Sequence, residues 1–324
     1  MKDLFIGFAL VLLATSVDAQ QTPATSGRPA LSLAPPPDAP PPINNPPGPF
    51  AVTVEADATL PTHTIYRPAD LQRFGGDNTL PIVNWGNGAC ANAGMLFEVF
   101  LRQIASHGYL AISIGPKDAP LPSFAANRSE KSSQPARPPL PQSRDEQMVD
   151  AIDWAVKENQ RKDSAYYKRL NTERIAVMGQ SCGGLQAMFA SSDPRVKTSV
   201  LWNSGVFTNN TDAMAMRISK VRKEDLAKLH APIAYFIGGP TDIAHANAED
   251  DFKRIEHVPI FKANLNVGHG GTFRDPGAGW FGEVGVAWLD WQLKGSARAA
   301  TYFEGIDCQL CKSEVWSVEK KRIK

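Results

Sequence analysis

Beyond residue 14 the sequence has no apolar run that approaches the roughly 20 residues of a membrane-spanning helix. It also lacks an excess of either charge, with 34 Lys and Arg against 33 Asp and Glu, and it shows no internal repeat. A near-neutral chain favours no polyanionic partner, and we interpret the basic ending, residues 319–324, as a solvated tail. We therefore expect neither a membrane span nor a nucleic-acid partner.

The first residues have the pattern of a secretory signal. A lysine at position 2 precedes an apolar core over residues 4–14, and a small-x-small ending follows at residues 17–19. We predict a signal peptide over residues 1–19 and a secreted or periplasmic protein.

Composition divides the rest of the chain into three parts. Residues 20–49 are rich in proline and predict a disordered linker, with a Pro-rich recognition ligand as the alternative. Residues 50–307 are long enough for one catalytic α/β domain, and residues 308–324 form a Cys-containing tail. We expect a monomer.

Apolar strand-like segments alternate with helix-like segments after residue 50. The predicted strands cover residues 50–55, 63–67, 80–86, 109–115, 174–179, 196–202, 232–239 and 258–265. The predicted helices cover residues 93–108, 144–159, 183–191, 223–230 and 279–295. The Pro- and Ser-rich residues 116–143 predict an insertion near a binding face. This order predicts an α/β fold with a mostly parallel central sheet and helices on both faces.

Residues 179–183 read Gly-Gln-Ser-Cys-Gly, a G-x-S-x-G pattern between a predicted strand and a predicted helix. The turn between such elements is so tight that a side chain at either glycine would clash, and it exposes the serine. The N-terminus of the following helix directs its positive end at the same place. We predict that Ser181 is a nucleophile, although a chance match to this short pattern is the alternative.

A serine nucleophile needs a base and an acid, which follow it in chain order in this fold class. His269 lies in a glycine-rich loop after the last predicted strand and is the predicted base, an ordinary loop histidine being the alternative. Asp242 directly follows the preceding strand and is the predicted acid, with a helix N-cap as the alternative. Asp250 and Asp251 fall inside a predicted helix, and we expect both to be solvated.

Transition-state stabilisation requires backbone N–H donors, each typically worth about 3 to 4 kcal/mol. The loop after the predicted strand over residues 80–86 reads Gly-Asn-Gly-Ala-Cys at residues 86–90, and its two glycines allow a substrate to approach the backbone. We predict an oxyanion hole from the N–H groups of Ala89 and Cys90 together with that of Cys182.

The four cysteines fit two disulfides of an exported protein. Cys90 and Cys182 each lie in one loop of the predicted oxyanion hole, so we hypothesise a disulfide between them; two buried thiols are the alternative. Cys308 and Cys311 form the only C-x-x-C pair and have no histidine nearby, which favours a second bridge over a metal or redox centre. We predict no metal and no cofactor.

The ordered motifs NWGNGAC, GQSCGG, FIGGPTD, NVGHGGTF and AWLDWQLKG resemble the α/β-hydrolase superfamily. Over residues 50–303 the chain is most similar to secreted esterases of the dienelactone hydrolase, acetylxylan esterase and polyester hydrolase type. The resemblance implies Ser181, Asp242 and His269 as the catalytic residues. The chain departs from many relatives in its GNGAC loop, where esterases often have HGGG or HG, and in the cysteine after the serine.

These observations predict a secreted serine hydrolase that cleaves small or polymeric carboxylic esters through an acyl-enzyme. We predict that Trp202 contacts the substrate and that Phe124 covers the site; Trp85 fits either an aromatic surface or the core. A secreted serine peptidase and a catalytically silent binding protein are the alternatives. A haloalkane or epoxide hydrolase is disfavoured because it needs aspartate in place of Ser181.

Overall fold

The computed structural model describes residues 33–122, 142–208 and 218–324, and these residues form one compact unit. The predicted signal peptide, the first part of the predicted linker, most of the predicted insertion and Phe124 lie outside the described residues.

The described residues contain one nine-stranded sheet, ordered β1-β2-β4-β3-β5-β6-β7-β8-β9. The strands are β1 Val52–Glu55, β2 His63–Pro68, β3 Leu80–Gly86, β4 Leu110–Ile114, β5 Leu170–Gln180, β6 Val196–Trp202, β7 Ile233–Ile237, β8 Ile260–Leu265 and β9 Trp316–Lys321. Strands β3 to β8 run parallel, whereas β1 and β2 at one edge and β9 at the other pair antiparallel with their neighbours. This confirms the prediction of an α/β-hydrolase fold with a mostly parallel sheet.

The helices are α1 Glu98–Ser106, α2 Gln147–Gln160, α3 Cys182–Ala190, α4 His245–Arg254, α5 Gly279–Lys294 and α6 Ala297–Ala300. Short 3-10 helices cover Leu71–Arg73, Gly88–Cys90, Lys223–Lys228 and Pro276–Ala278, so the helix predicted over residues 223–230 is a 3-10 turn. No helix in the three described ranges combines the length and the apolarity that a membrane crossing requires.

Helices cover both faces of the sheet, as strand β5 illustrates. Ala176 and Met178 pack in a core cluster with residues of α1 and α5, whereas Ile175 and Val177 pack with residues of α2 and α3. Successive side chains of a strand point to opposite faces, so a strand buried on both faces must be apolar without interruption. Burial on both faces of the sheet therefore explains the near-continuous apolar runs of the sequence.

The Pro-rich residues 33–49, which we name the strap, pack on the domain, so the compact unit extends N-terminal to the boundary predicted at residue 49. The Trp280 indole N–H donates to the Pro41 carbonyl at 3.0 Å, and the Gln103 amide donates to the Pro46 carbonyl at 3.0 Å. Proline has no N–H, but its carbonyl remains a full acceptor. Side-chain donors of the domain therefore hold a segment that forms no strand or helix of its own.

The compact unit also continues past the boundary predicted at residue 307. A disulfide joins Cys308 and Cys311, as predicted, and the chain then forms edge strand β9 beside β8. The Lys321 ammonium donates to the Phe252 carbonyl at 2.6 Å, where α4 ends, and the favourable end of a helix for a cation is its C-terminus. The basic ending is therefore part of the fold rather than a solvated tail.

One of the two aspartates predicted to be solvated is buried. Asp251 has no exposed surface, and its carboxylate accepts hydrogen bonds from the Lys223 ammonium at 2.6 Å and from the Val206 N–H at 2.7 Å. Burial raises the pKa of Asp251 to about 6, although Lys223 opposes the shift. Charged residues in a helical pattern predict a solvent-exposed face, but Asp251 is buried against Lys223, which belongs to another element.

Candidate active site

Ser181 occupies a strained turn between β5 and α3. Its φ of 53° and ψ of −117° lie outside the regions that ordinary residues populate. A Cβ at Gly179 would lie 2.1 Å from the Gly183 carbonyl oxygen, and one at Gly184 would lie 2.3 Å from Ser204 Oγ. Only glycine fits these positions, and their close packing holds the serine conformation in place.

The structure brings the predicted nucleophile, base and acid into one hydrogen-bonded chain. Ser181 Oγ lies 2.9 Å from His269 Nε2, and His269 Nδ1 lies 2.6 Å from Asp242 Oδ1. Both His269 and Asp242 are almost completely buried. The three residues follow β5, β8 and β7, so the carboxyl ends of the parallel strands assemble them.

The Asp242 carboxylate accepts two hydrogen bonds at each oxygen. Oδ1 accepts from His269 and from the Ala244 N–H at 2.9 Å. Oδ2 accepts from the Gly238 N–H at 2.9 Å and from the Asn203 amide at 2.7 Å. Because these donors surround it, the carboxylate does more than cap a helix, and the N-cap residue of α4 is Ala244.

Two opposing effects set the pKa of the Asp242 carboxyl. Burial would raise it, but the hydrogen bond and the charge of His269 outweigh burial, with help from the N–H groups of Ala244 and Gly238. The pKa therefore lies below its ordinary value, and the carboxylate is ionised at neutral pH. An ionised acid can orient an imidazole and stabilise the imidazolium that forms when histidine accepts a proton.

Sequence reasoning missed two side-chain amides of this site. Asn203, directly after β6, donates to Asp242 and also to the Gly268 carbonyl at 3.1 Å. Gln180, the residue before Ser181, donates to the His269 carbonyl at 3.0 Å. The available signal was position alone: Gln180 directly precedes Ser181, and Asn203 directly follows the apolar parallel strand β6.

The predicted disulfide between Cys90 and Cys182 is confirmed, with Cα atoms 5.1 Å apart. It joins the start of α3 to the 3-10 helix Gly88–Cys90, in which Ala89 and Cys90 have positive φ values of 55° and 48°. Cys182 opens α3, so its N–H is among those without an acceptor inside the helix. The two loops predicted to supply oxyanion donors are thus covalently joined.

Hydrogen bonds from Ser143 hold the Cys90 end of this bridge. The Ser143 N–H and hydroxyl donate to the Cys90 carbonyl at 2.8 and 3.0 Å, and the Gln186 amide donates to Ser143 Oγ at 2.9 Å. Gln186 lies on α3, the helix that follows Ser181. The same helix therefore contacts the Gly88–Cys90 loop through a disulfide and through a hydrogen-bonded chain.

The structure corrects the prediction that Trp202 contacts a substrate. Its side chain has no exposed surface, and its ring stacks on Phe236 with centroids 4.7 Å apart. Trp202 is the last residue of β6, and this position faces the core under α1 and α5. Trp85 is equally buried, so its core interpretation applies. Ile243, which directly follows Asp242 in the chain, is an apolar residue that is 61 % exposed.

Within the described ranges, no group of three or more His, Cys, Asp or Glu side chains is arranged to hold a metal ion. A family model described as PETase, PET hydrolase-like, matches residues 43–214, just over half of the chain. The match starts inside the strap, includes Ser181, and ends before Asp242 and His269. No curated protein matches the chain.

Proposed function

The chain belongs to the PET hydrolase-like family of polyester hydrolases with the α/β-hydrolase fold, and on that premise we propose that it is a serine esterase. The observation that carries the proposal is the hydrogen-bonded chain from Ser181 through His269 to Asp242, with separations of 2.9 and 2.6 Å. A hydroxyl within reach of a base, and that base within reach of an ionised acid, is the arrangement that activates a serine.

The proposed reaction has two steps. In the first, Ser181 Oγ attacks the ester carbonyl while His269 Nε2 accepts the hydroxyl proton, which then passes to the leaving alcohol. In the second, a water molecule attacks the acyl-enzyme, His269 accepts a proton from that water, and the proton returns to Ser181 as the acid leaves. Asp242 stays ionised throughout and holds the imidazole.

We propose that the tetrahedral oxyanion is bound by the Cys182 N–H and by an N–H of Ala89 or Cys90. The disulfide between Cys90 and Cys182 supports this assignment, because it fixes the two donor loops against each other. Preorganised donors need no rearrangement when negative charge develops, which is the source of their large effect.

The proposed substrate is a carboxylic ester outside the cytoplasm, and the family description favours an aromatic polyester. Two disulfides support an oxidising compartment, and the exposed Ile243 offers an apolar contact beside the acid. On this proposal an aromatic diester such as bis(2-hydroxyethyl) terephthalate is a better substrate than p-nitrophenyl acetate, and Ile243→Ser raises KM for it.

The test is ester hydrolysis by the wild type beside Ser181→Ala, with p-nitrophenyl esters of increasing chain length. We expect turnover by the wild type and its loss in the variant. Labelling of Ser181 by a fluorophosphonate without ester turnover would favour a serine peptidase instead. A protein that neither labels nor turns over ester would be a silent binding protein, and the proposal would be wrong.

A further inference from the structure

The loop that follows β8 and contains His269 is named the histidine loop. Two consecutive carbonyls of this loop each accept a hydrogen bond from a buried side-chain amide. Asn203 Nδ2 donates to the Gly268 carbonyl at 3.1 Å, and Gln180 Nε2 donates to the His269 carbonyl at 3.0 Å. Asn203 has no exposed surface, and Gln180 is 6 % exposed. Asn203 directly follows β6 and Gln180 is the last residue of β5, whereas the loop follows β8. The two amides therefore connect the histidine loop to the end of β6 and to the end of β5, which directly precedes Ser181.

Asn203 uses its second amide hydrogen on the acid. Its Nδ2 lies 2.7 Å from Asp242 Oδ2, so both hydrogens of the NH2 group have acceptors. These two neighbours are acceptors only, which fixes the nitrogen rather than the oxygen of the amide at this position. The backbone φ of 44° suits asparagine, which tolerates the left-handed region better than most residues. An aspartate here would set a second carboxylate against Asp242.

We propose that Asn203 and Gln180 are positioning residues of the esterase reaction proposed above, an inference that rests on that proposed function. By holding the Gly268 and His269 carbonyls, the pair aligns the imidazole between Ser181 and Asp242. Asn203 also favours the ionised form of the acid. Neither residue needs to touch the substrate, so both act on the reaction through His269 and Asp242.

The first test variant is Asn203→Asp, which preserves shape and removes both donors. Two carboxylates at hydrogen-bond distance do not both ionise at their ordinary pKa, so the pair retains a proton to higher pH. The acidic limb of the pH profile of kcat/KM should then move to higher pH by about one pH unit. Loss of alignment should lower kcat about a hundredfold, the typical cost of a 1 Å misplacement of reacting groups.

The second test variant is Gln180→Met, which keeps the length of the side chain and removes the hydrogen bond to the His269 carbonyl. We expect kcat to fall about tenfold, the lower end of such positioning effects, while KM stays unchanged because the substrate contacts remain. This variant adds no charge, so its pH profile should keep the shape of the wild-type profile.

The chain offers a matched control for each variant. Asn84 is also fully buried and donates to the Met148 carbonyl at 2.9 Å, and Gln103 is also 6 % exposed and donates to the Pro46 carbonyl. Asn84→Asp and Gln103→Met should lower the thermal unfolding temperature. They should leave kcat per fluorophosphonate-reactive site and the acidic limb unchanged.

The experiment is the pH dependence of p-nitrophenyl acetate hydrolysis by wild type and the four variants, normalised to fluorophosphonate-reactive sites. If Asn203→Asp does not fold, the contrast between Gln180→Met and Gln103→Met decides. If the wild type is active but the Asn203 and Gln180 variants behave like their controls, the proposal that these two residues position the site is wrong, and the esterase proposal still stands. A wild type without turnover or labelling would overturn the proposed esterase, and this inference with it.

Discussion

Gly183 lies directly against Gly86, so that a Cβ on Gly183 would fall 2.0 Å from both the carbonyl carbon and the carbonyl oxygen of Gly86. Gly183 lies in the first turn of the helix behind Ser181, and Gly86 ends strand β3, before the proposed oxyanion loop. The two halves of the site therefore meet backbone to backbone, with no side chain between them.

Gly183→Ala should separate these two backbones. Overpacking in a close-packed region costs about 1–3 kcal/mol, and the displaced loop should also lower kcat. The control is Gly48→Ala, whose Cβ would lie 2.3 Å from the Ser106 carbonyl oxygen on another part of the domain. Both variants should unfold at a lower temperature than wild type, but only Gly183→Ala should also have a lower kcat per labelled site. Equal kcat in the two variants would contradict the prediction.

Removal of the disulfide between Cys90 and Cys182 should destabilise the fold more than removal of the one between Cys308 and Cys311. The first closes a loop of 92 residues and the second a loop of 3. The chain-entropy relation gives about 4–5 kcal/mol for the longer loop and about 1.6 kcal/mol for the shorter. Paired Cys→Ser variants, compared by urea unfolding, test this, and only the first pair should also lose ester turnover. Similar urea midpoints would argue against it.

Stability should depend on pH through Asp242. Its pKa in the folded chain lies below the ordinary value, so ionisation stabilises the fold at pH values above about 4, the pKa expected in the unfolded chain. This contribution is lost as the pH falls through the folded-state pKa. Asp242→Asn should therefore be less stable than wild type at pH 7, and the difference should narrow on acidification. Urea midpoints from pH 7 to pH 2 test this, with the exposed Asp150→Asn as the control.

The strap should stabilise the fold. A Cβ at Gly270 would lie 2.4 Å from the Leu33 carbonyl oxygen, which shows how closely the strap approaches His269. A chain of residues 50–324 should unfold at a lower temperature than one of residues 33–324. The truncated chain loses at least six hydrogen bonds between the strap and the domain, which at about 0.5–1.5 kcal/mol each correspond to about 3–9 kcal/mol. Equal melting temperatures of the two chains would show that the strap does not contribute to stability.

The sequence was sufficient for the parts of the fold that depend on burial of whole strands. Strands β3 to β8 are buried on both faces and therefore have continuous apolar runs that are easy to recognise. Chain order and strand ends then placed Ser181, Asp242 and His269, because the glycine-rich turns that follow parallel strands are few. The disulfide between Cys90 and Cys182 followed from the two loops that contain these cysteines.

The remaining features depend on partners that are distant in the chain. Trp202 ends a strand beside the site, and only the packing of α1 and α5 shows that its ring enters the core. The strap has the composition of a linker, but its carbonyls accept hydrogen bonds from Trp280 and Gln103. Asn203 is one polar residue among many that follow strands, and its partner Asp242 lies 39 residues away. No local pattern encodes such contacts.

The most direct test of the account is the site of covalent modification by a fluorophosphonate probe, mapped by mass spectrometry of the digested protein. We expect one adduct per chain on Ser181, and no adduct in Ser181→Ala. We also expect much slower labelling in His269→Ala, which lacks the base. An unmodified wild type, or an adduct on another residue, would contradict the assignment of Ser181 as the nucleophile.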